Sequence, residues 1–319
     1  MPPRRVIGID AGGTKLLGGV VDESLVVHHR VHRTWRGADR QETLDIFTGA
    51  VEEVRAAAPD VQAVGFGIPA LVEWESGVSR WCNHLPLGEV PFRDLMSERI
   101  GLPVVVDNDG NASVLAEARA GAARGSDHVV MVSLGTGIGT GLYLNGGIYR
   151  GASGVGGELG HSVLELDGAD CPGACPGRGC FETLVSGRAI GREGERLARE
   201  LPDSQLGRRL AGGVEVSGGI VTELAHGGDP VSRSALENIG RRLGYGLVGV
   251  VNVFNPQVIV VGGGAVRAGD LLLDPARMVV AQRALPPPRD AVSILPAHFG
   301  DEAGMIGAAL LALGREADA

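Results

Sequence analysis

Short apolar runs separated by glycine-rich turns open the chain. Residues 6–10 and 16–21 are apolar on either side of such a turn, which predicts a β-hairpin, and residues 26–31 predict a third strand. Apolar residues at helical spacing predict a helix over 43–57, and a buried strand is expected over 61–68. Strands followed by helices in this order indicate an α/β fold.

The opening pattern recurs in the second half of the chain. Residues 128–134 are apolar, a Gly/Thr turn (GTGIGTG) covers 135–141, and residues 142–144 are apolar again. This segment can be laid over residues 6–21 with the turns in register. The repeat predicts a duplicated fold of two lobes with a cleft between them, and two unrelated Gly-rich hairpins are the alternative.

The remaining pattern completes an alternation of helices and strands. The predicted helices cover 92–100, 111–120, 181–200, 230–252 and 302–313. The predicted strands cover 103–106, 257–261 and 292–295.

Length and charge narrow the function classes. With 319 residues the chain is long enough for two domains, and a net charge of -9 weighs against a nucleic-acid partner. The longest apolar stretch, 243–254, is shorter than the roughly 20 residues that span a bilayer. No signal peptide is recognised, so we expect no membrane partner and a cytoplasmic location.

The turn at 10–15 (DAGGTK) has the composition of a phosphate site. Gly12 and Gly13 leave backbone N–H groups open, while the Thr14 hydroxyl and the Lys15 cation suit a triphosphate. Asp10 is placed to hold a hydrated Mg²⁺. The spacing of a Walker A loop is absent, and residues 135–141 do not match the GxGxxG pattern of a nicotinamide site.

The segment 104–109 (VVVDND) brings two acids and an amide to the end of a buried strand, where α/β sheets place ligands. An Asp109 carboxylate with an ordinary pKa of about 4 would be ionised at neutral pH and could act as a general base on a sugar hydroxyl, with Asn108 binding a neighbouring hydroxyl. The alternative is that Asp109 or Asn111 caps the helix that follows.

His161, Cys171, Cys175 and Cys180 form the set of ligands expected of a closed structural zinc site. Three unrelated thiols in a loop are the alternative. Glu158 and Glu182 flank this cluster and are either site residues or surface acids. Asn83, in the loop 81–86, either binds a ligand or holds a turn.

Together these motifs resemble the ROK family of sugar kinases and sugar-responsive repressors, within the actin-like ATPase superfamily. The resemblance is carried by DAGGTK at 10–15, NDGNA at 108–112, GTGIG at 135–139, GGIYRG at 146–151 and GELGH at 157–161. The family's usual CxCGxxGC cluster is altered here. Three residues separate Cys171 from Cys175, and Pro176 replaces a glycine, so Cys171 departs from the family's ligand spacing.

The resemblance implies two ribonuclease H-like lobes that close on a sugar, with a small lobe of 1–118 plus the C-terminal helix 302–319 and a large lobe of 119–301 that contains the zinc loop. Asp109 would be the base, and His161 would also ligate zinc. The implied sugar ligands are Asn83, Asn108, Asp109, Glu158, His161 and Glu182. The implied nucleotide contacts are Thr14, Lys15, Thr136 and Gly137 at the phosphates and Gly262, Gly263 and Gly264 near the adenosine.

The expected activity is therefore transfer of the ATP γ-phosphoryl group to a hexose, with glucose and its O6 favoured. Kinases for N-acetylmannosamine, fructose, mannose or allose are alternatives of the same class. A sugar-responsive transcription regulator is the alternative of another class; only nine residues precede Asp10, which is too few for the helix-turn-helix of the family's repressors. The resemblance also implies a homodimer or a dimer of dimers.

Overall fold

Twelve strands form two five-stranded sheets and one hairpin in the computed structural model, which describes residues 3–12, 15–35, 37, 39–83 and 85–314. The strands are β1 (Arg5–Ala11), β2 (Lys15–Asp22), β3 (Val27–Thr34), β4 (Val64–Ile68), β5 (Ala70–Glu73), β6 (Val78–Cys82), β7 (Val104–Asn108), β8 (His128–Leu134), β9 (Ile138–Leu144), β10 (Gly147–Ile148), β11 (Val258–Gly262) and β12 (Ser293–Pro296).

Eleven α-helices join these strands within the described residues. They are α1 (Arg40–Ala57), α2 (Phe92–Ile100), α3 (Asp109–Ala120), α4 (Phe181–Leu184), α5 (Gly187–Glu200), α6 (Gln205–Ala211), α7 (Gly218–His226), α8 (Pro230–Phe254), α9 (Asp270–Arg283), α10 (Pro288–Ala291) and α11 (Ala303–Ala312). Among the described residues, none of these helices combines the length and hydropathy needed to cross a bilayer.

The two large sheets share one plan. The first has the order β3-β2-β1-β4-β7 and the second the order β10-β9-β8-β11-β12. In each, three strands consecutive in the chain occupy one edge, and the last two strands at the other edge are parallel. The α/β fold and the duplication predicted from the repeated hairpins are therefore confirmed.

The chain divides into two compact units. The first unit comprises residues 1–131, 140–158 and 298–319, and the second comprises 132–139 and 159–297. The first contains the sheet that ends at β7 together with α11. The lobe boundaries expected at 118 and 302 stay a prediction.

Glycines allow α11 to pack directly on the first sheet. A Cβ on Gly8 would lie 2.1 Å from the Met305 carbonyl oxygen, and one on Gly65 would lie 1.8 Å from the Ala308 carbonyl oxygen. All ten residues of α11 are buried, as expected of a helix covered on every side. This close approach places the start of α11 beside the end of β1.

The sequence-based assignment was wrong at several places, two of which follow. The single helix predicted over 181–200 is broken at Val185 and Ser186, because Ser186 takes an extended conformation and its hydroxyl accepts the Ala189 N–H to cap α5. The hairpin of β5 and β6 was not predicted. Its strands have four and five residues, too short to show a clear alternation.

Candidate active site

Acidic residues gather where three parallel strands of the first sheet end. The register aligns Asp10 of β1 with Gly67 of β4, and Gly67 with Asp107 of β7. Asp109 follows two residues later, at the start of α3. Carboxyl ends of strands are where open α/β sheets bind ligands, so this edge is the candidate active site of the first unit.

Asp10 has a strongly perturbed carboxyl group. Burial raises its pKa to about 8, and the nearby carboxylates of Asp109 and Asp301 add to the shift. A Cβ on Gly304 would lie 2.5 Å from the Asp10 carboxyl group, so α11 begins directly against it. The effect of the Asp109 carboxylate on the Asp10 pKa places the two residues in one electrostatic site, which is typical of a functional centre.

The Asp10 shift predicts how stability depends on pH. The raised folded-state pKa means that ionising Asp10 destabilises the folded protein, so wild-type stability should fall as pH rises from about 4 to about 8 and then level off. Asp10→Asn removes this term. Without nucleotide or Mg²⁺, the variant should melt slightly above the wild-type temperature near pH 5 and well above it near pH 9.

The exposed ion-pair residue Asp60 supplies the control for this experiment. Asp60→Asn should follow the wild-type profile at every pH. The assigned pKa would be contradicted if the melting temperatures of Asp10→Asn and the wild type differed by a constant amount from about pH 5 to about pH 9.

Asp109 is the first residue of α3, but it is not the cap. The Asn108 side-chain oxygen accepts the Gly110 and Asn111 N–H groups at 2.8 and 3.2 Å, so Asn108 is the N-cap. The interpretation of Asp109 or Asn111 as the cap was wrong, because the helix begins earlier than its apolar pattern. The Asp109 carboxylate accepts the neighbouring Gly110 N–H at 2.9 Å.

The Asp109 pKa is not ordinary, contrary to the expectation from sequence. Burial raises it, while the bond from Gly110 opposes the shift. A raised pKa makes the carboxylate a better proton acceptor, provided that it is still ionised at the working pH.

The other predicted sites of the first unit lie on separate segments. Asn83 directly follows β6, Glu158 is exposed, and Lys15 is exposed at the start of β2. Gly12 directly follows β1. Gly13 and Thr14 lie outside the described residues.

In the second unit, Glu182 anchors the turn between β8 and β9. Its carboxylate accepts the Ile138 N–H at 2.8 Å, and a Cβ on Gly137 would lie 1.9 Å from that carboxylate. Thr136 is exposed in the same turn. Glu182 is buried, so the reading of this residue as a surface acid was wrong.

The glycines after β11 permit a close backbone approach. Gly263 has φ +76°, and a Cβ there would lie 2.6 Å from the Leu134 carbonyl group at the end of β8. Gly262 ends β11, and a 3₁₀ turn, Gly264–Ala268, follows. Only glycine satisfies both the backbone angle and the space at position 263.

The structure brings His161, Cys171, Cys175 and Cys180 together. Their ligand atoms all lie within 4.8 Å of one another, and the Cys171 sulfur is 3.5 Å from His161 Nδ1. Cys171 therefore joins the cluster despite its altered spacing. Three Sγ atoms and one imidazole nitrogen are a donor set that fits tetrahedral Zn²⁺.

The thiols of this cluster are crowded. Burial and the neighbouring thiols raise the pKa of Cys171, and burial is also the largest cause of the raised pKa of Cys180. A bound divalent cation would reverse these shifts by stabilising the thiolates. Cys180 directly precedes α4, so the cluster and Glu182 are held by one short segment.

Comparison with known proteins decides the family. The family model described as "ROK family" matches residues 6–315. The chain belongs to the ROK family. It is 33% identical to a glucokinase of Thermotoga maritima, with 97% of each chain covered. The structure of a ROK family glucokinase from Streptomyces griseus in complex with glucose and AMPPNP matches with a TM-score of 0.89, 33% identity and coverage of 97% of this chain and 99% of that one.

The family also contains regulators. A structure of a ROK family transcriptional regulator, described as a homologue of the E. coli Mlc protein, matches with a TM-score of 0.86 and 26% identity over 97% of this chain and 78% of that chain. The likeness to both kinds of ROK protein shows the actin-like ATPase fold of two lobes.

Sequence reasoning missed two site residues in this ROK chain. Asp107 is fully buried, and its carboxylate contacts Arg150 at 2.9 Å. The signal for Asp107 was present, because an acid in an apolar strand requires a partner. Arg150 belongs to the GGIYRG motif at 146–151, but nothing in the sequence pattern paired it with Asp107, 43 residues earlier in the chain.

Proposed function

We propose that this protein is an ATP-dependent hexokinase that phosphorylates glucose at O6, with Asp109 as the general base. The carboxyl group of Asp109 at the carboxyl edge of the first sheet, electrostatically coupled to Asp10, is the observation that carries this assignment. The similarity to glucokinases over nearly the whole chain supports it.

In the proposed reaction, Asp109 accepts the proton of the sugar hydroxyl as that oxygen bonds to the γ-phosphorus and the bond to the ADP oxygen breaks. Asp10 would hold the hydrated Mg²⁺ of the nucleotide substrate. Most of the acceleration should come from positioning and charge neutralisation, as in other phosphoryl transfers.

The remaining site roles are proposed as the family resemblance implies them. The sugar ligands would be Asn83, Asn108, Asp109, Glu158, His161 and Glu182. The nucleotide contacts would be Gly12, Gly13, Thr14, Lys15, Thr136, Gly137, Gly262, Gly263 and Gly264. Asn108 already uses its side-chain oxygen as a helix cap and donates its amide to the Ala70 carbonyl at 3.3 Å, which would fix the orientation of the amide.

The four-residue cluster would hold a structural zinc ion. His161, Cys171, Cys175 and Cys180 supply four ligands and leave no open position, so the ion would organise the loop rather than activate water. With Nδ1 beside Cys171, the other ring nitrogen of His161 is the one proposed to contact the sugar.

An ADP-release assay over a panel of sugars and phosphoryl donors tests the proposal. We expect the highest kcat/KM with glucose and Mg·ATP. Preference for N-acetylmannosamine, fructose, mannose or allose would replace the sugar while retaining the kinase. Absence of sugar-dependent ADP release with every sugar would overturn the enzyme assignment.

The relatives also include xylose repressors, one of which, from Bacillus subtilis, is 26% identical over 94% of this chain. For that reason a gel-shift assay with operator-like DNA should accompany the kinetics.

We also propose that the protein is a homodimer or a dimer of dimers and that it is located in the cytoplasm. Light scattering measures the oligomeric state.

A further inference from the structure

A fully buried carboxylate lies next to the proposed base. Asp107 has no exposed surface. Its Oδ1 accepts the Asn108 N–H at 2.7 Å and the Asn111 side-chain amide at 2.9 Å. A charge with no access to water is strongly destabilising unless it is paired. The pair must therefore come from another segment of the chain.

Arg150 supplies that pair. Its Nε and Nη2 atoms both lie 2.9 Å from Asp107 Oδ2, and its side chain is 14% exposed. The guanidinium carbon also lies 3.7 Å from the centre of the Trp74 ring. One side chain thus forms a charge pair and a cation–π contact at once, which only a planar cation can do.

These contacts join three segments of the first unit. Asp107 is two residues before Asp109. Trp74 directly follows β5, in the hairpin that leads through β6 to Asn83. Arg150 begins the loop that ends at Glu158. Each segment therefore carries at least one residue of the proposed sugar site.

The backbone of the 150–158 loop is held against the same hairpin. A Cβ on Gly154, whose φ is +86°, would lie 2.8 Å from the Trp74 backbone nitrogen. The Gly156 N–H donates to the Arg150 carbonyl at 2.8 Å, which closes the loop on itself. The loop is therefore packed directly against the backbone of the hairpin.

We propose that Arg150 and Asp107 are positioning residues that hold the three sugar-binding segments in register. This inference rests on the proposed hexokinase function. It assigns no contact between Arg150 and the sugar. Arg150 acts through Asp107 on the base strand, and through Trp74 on the hairpin that carries Asn83.

Arg150→Lys tests the role, since lysine keeps the charge and loses the planar, two-point contact. We expect the KM for glucose to rise about 10- to 100-fold, because small displacements of several ligands weaken binding together. The KM for ATP should stay within about 2-fold of the wild type. A titration with glucose, followed by tryptophan fluorescence, measures the loss of glucose affinity in the absence of turnover.

A matched control lies in the second unit. Glu193 is buried, and its carboxylate contacts Arg196 and Arg242. Arg242→Lys changes an arginine that pairs with a buried carboxylate, although Arg242 itself is exposed, and it should lower thermal stability while the KM for glucose stays unchanged. Trp74→Ala provides a second variant and should also raise the KM for glucose, whereas Trp74→Phe keeps an aromatic face and should have a smaller effect.

The positioning role would be overturned if Arg150→Lys raised the KM for glucose and the KM for ATP equally. It would also be overturned if both Arg150→Lys and Trp74→Ala kept the wild-type KM for glucose. If Arg150→Lys does not fold, the Trp74 pair decides the question alone. Failure of the wild type to phosphorylate any hexose would instead contradict the proposed function, so the two failures are distinguishable.

Discussion

Asp109→Asn is expected to lower turnover by about 10²- to 10⁴-fold, the usual contribution of a general base. Glucose affinity should change little, because asparagine keeps the size of the side chain and an oxygen for the Gly110 N–H. The measurements are kcat by coupled ADP assay and the dissociation constant for glucose by calorimetry. The wild-type rate should also fall on acidification through the raised pKa of Asp109.

Asp94→Asn is the control for the base assignment, since Asp94 is an exposed acid of the same unit. It should have the kinetics of the wild type. Near-normal turnover in Asp109→Asn would remove the assigned base. A large loss of glucose affinity with unchanged kcat would make Asp109 a binding residue only.

Cys180→Ser is expected to remove the proposed zinc ion and to affect both stability and catalysis. Cys180 is fully buried and directly precedes α4, which carries Glu182. Loss of a structural metal should lower the melting temperature and, through misplaced His161 and Glu182, reduce kcat/KM for glucose by about 10- to 100-fold. Zinc content per chain, thermal melting and kinetics measure the three consequences.

Cys82→Ser is the control, because the Cys82 sulfur contacts the Pro69 carbonyl and lies outside the cluster. It should keep the zinc content of the wild type. Cys171→Ser tests the ligand with the altered spacing and should also lose zinc. Full zinc content in Cys171→Ser would exclude Cys171 as a ligand, and full content in all three cluster thiol variants would exclude the metal centre.

The repeated hairpins explain why the fold could be predicted. Both repeats pair apolar strands across a glycine turn, and that local pattern determines which strands are neighbours in each sheet. The acids at the ends of β1 and β7 could be placed for the same reason. Parallel strands leave their carboxyl ends at one edge.

Local hydrogen bonding was harder to predict. The start of α3 was placed too late, because the capping residue, Asn108, still belongs to the apolar strand β7. The break at Ser186 was missed because the helical pattern continues on both sides of it. In each case one polar side chain bonds to the backbone and decides the boundary.

Contacts between distant segments could not be predicted. The elevated pKa of Asp10 comes first from burial, and the carboxylates of Asp109 and Asp301 add to it. The start of α11, near the far end of the chain, packs against this carboxyl group. The pair of Asp107 and Arg150 depends on the path of the 150–158 loop. A single sequence states which residue types are present, whereas such pairs are set by packing.

The central claim is that a carboxylate at this sheet edge promotes phosphoryl transfer from a nucleotide to a sugar oxygen. Nuclear magnetic resonance of the products formed from ¹³C-labelled glucose and Mg·ATP tests it directly. The account predicts glucose 6-phosphate in equal amount to ADP, formed about 10²- to 10⁴-fold more slowly by Asp109→Asn. ADP formed without a sugar phosphate, or sugar phosphate formed equally well by the variant, would contradict it.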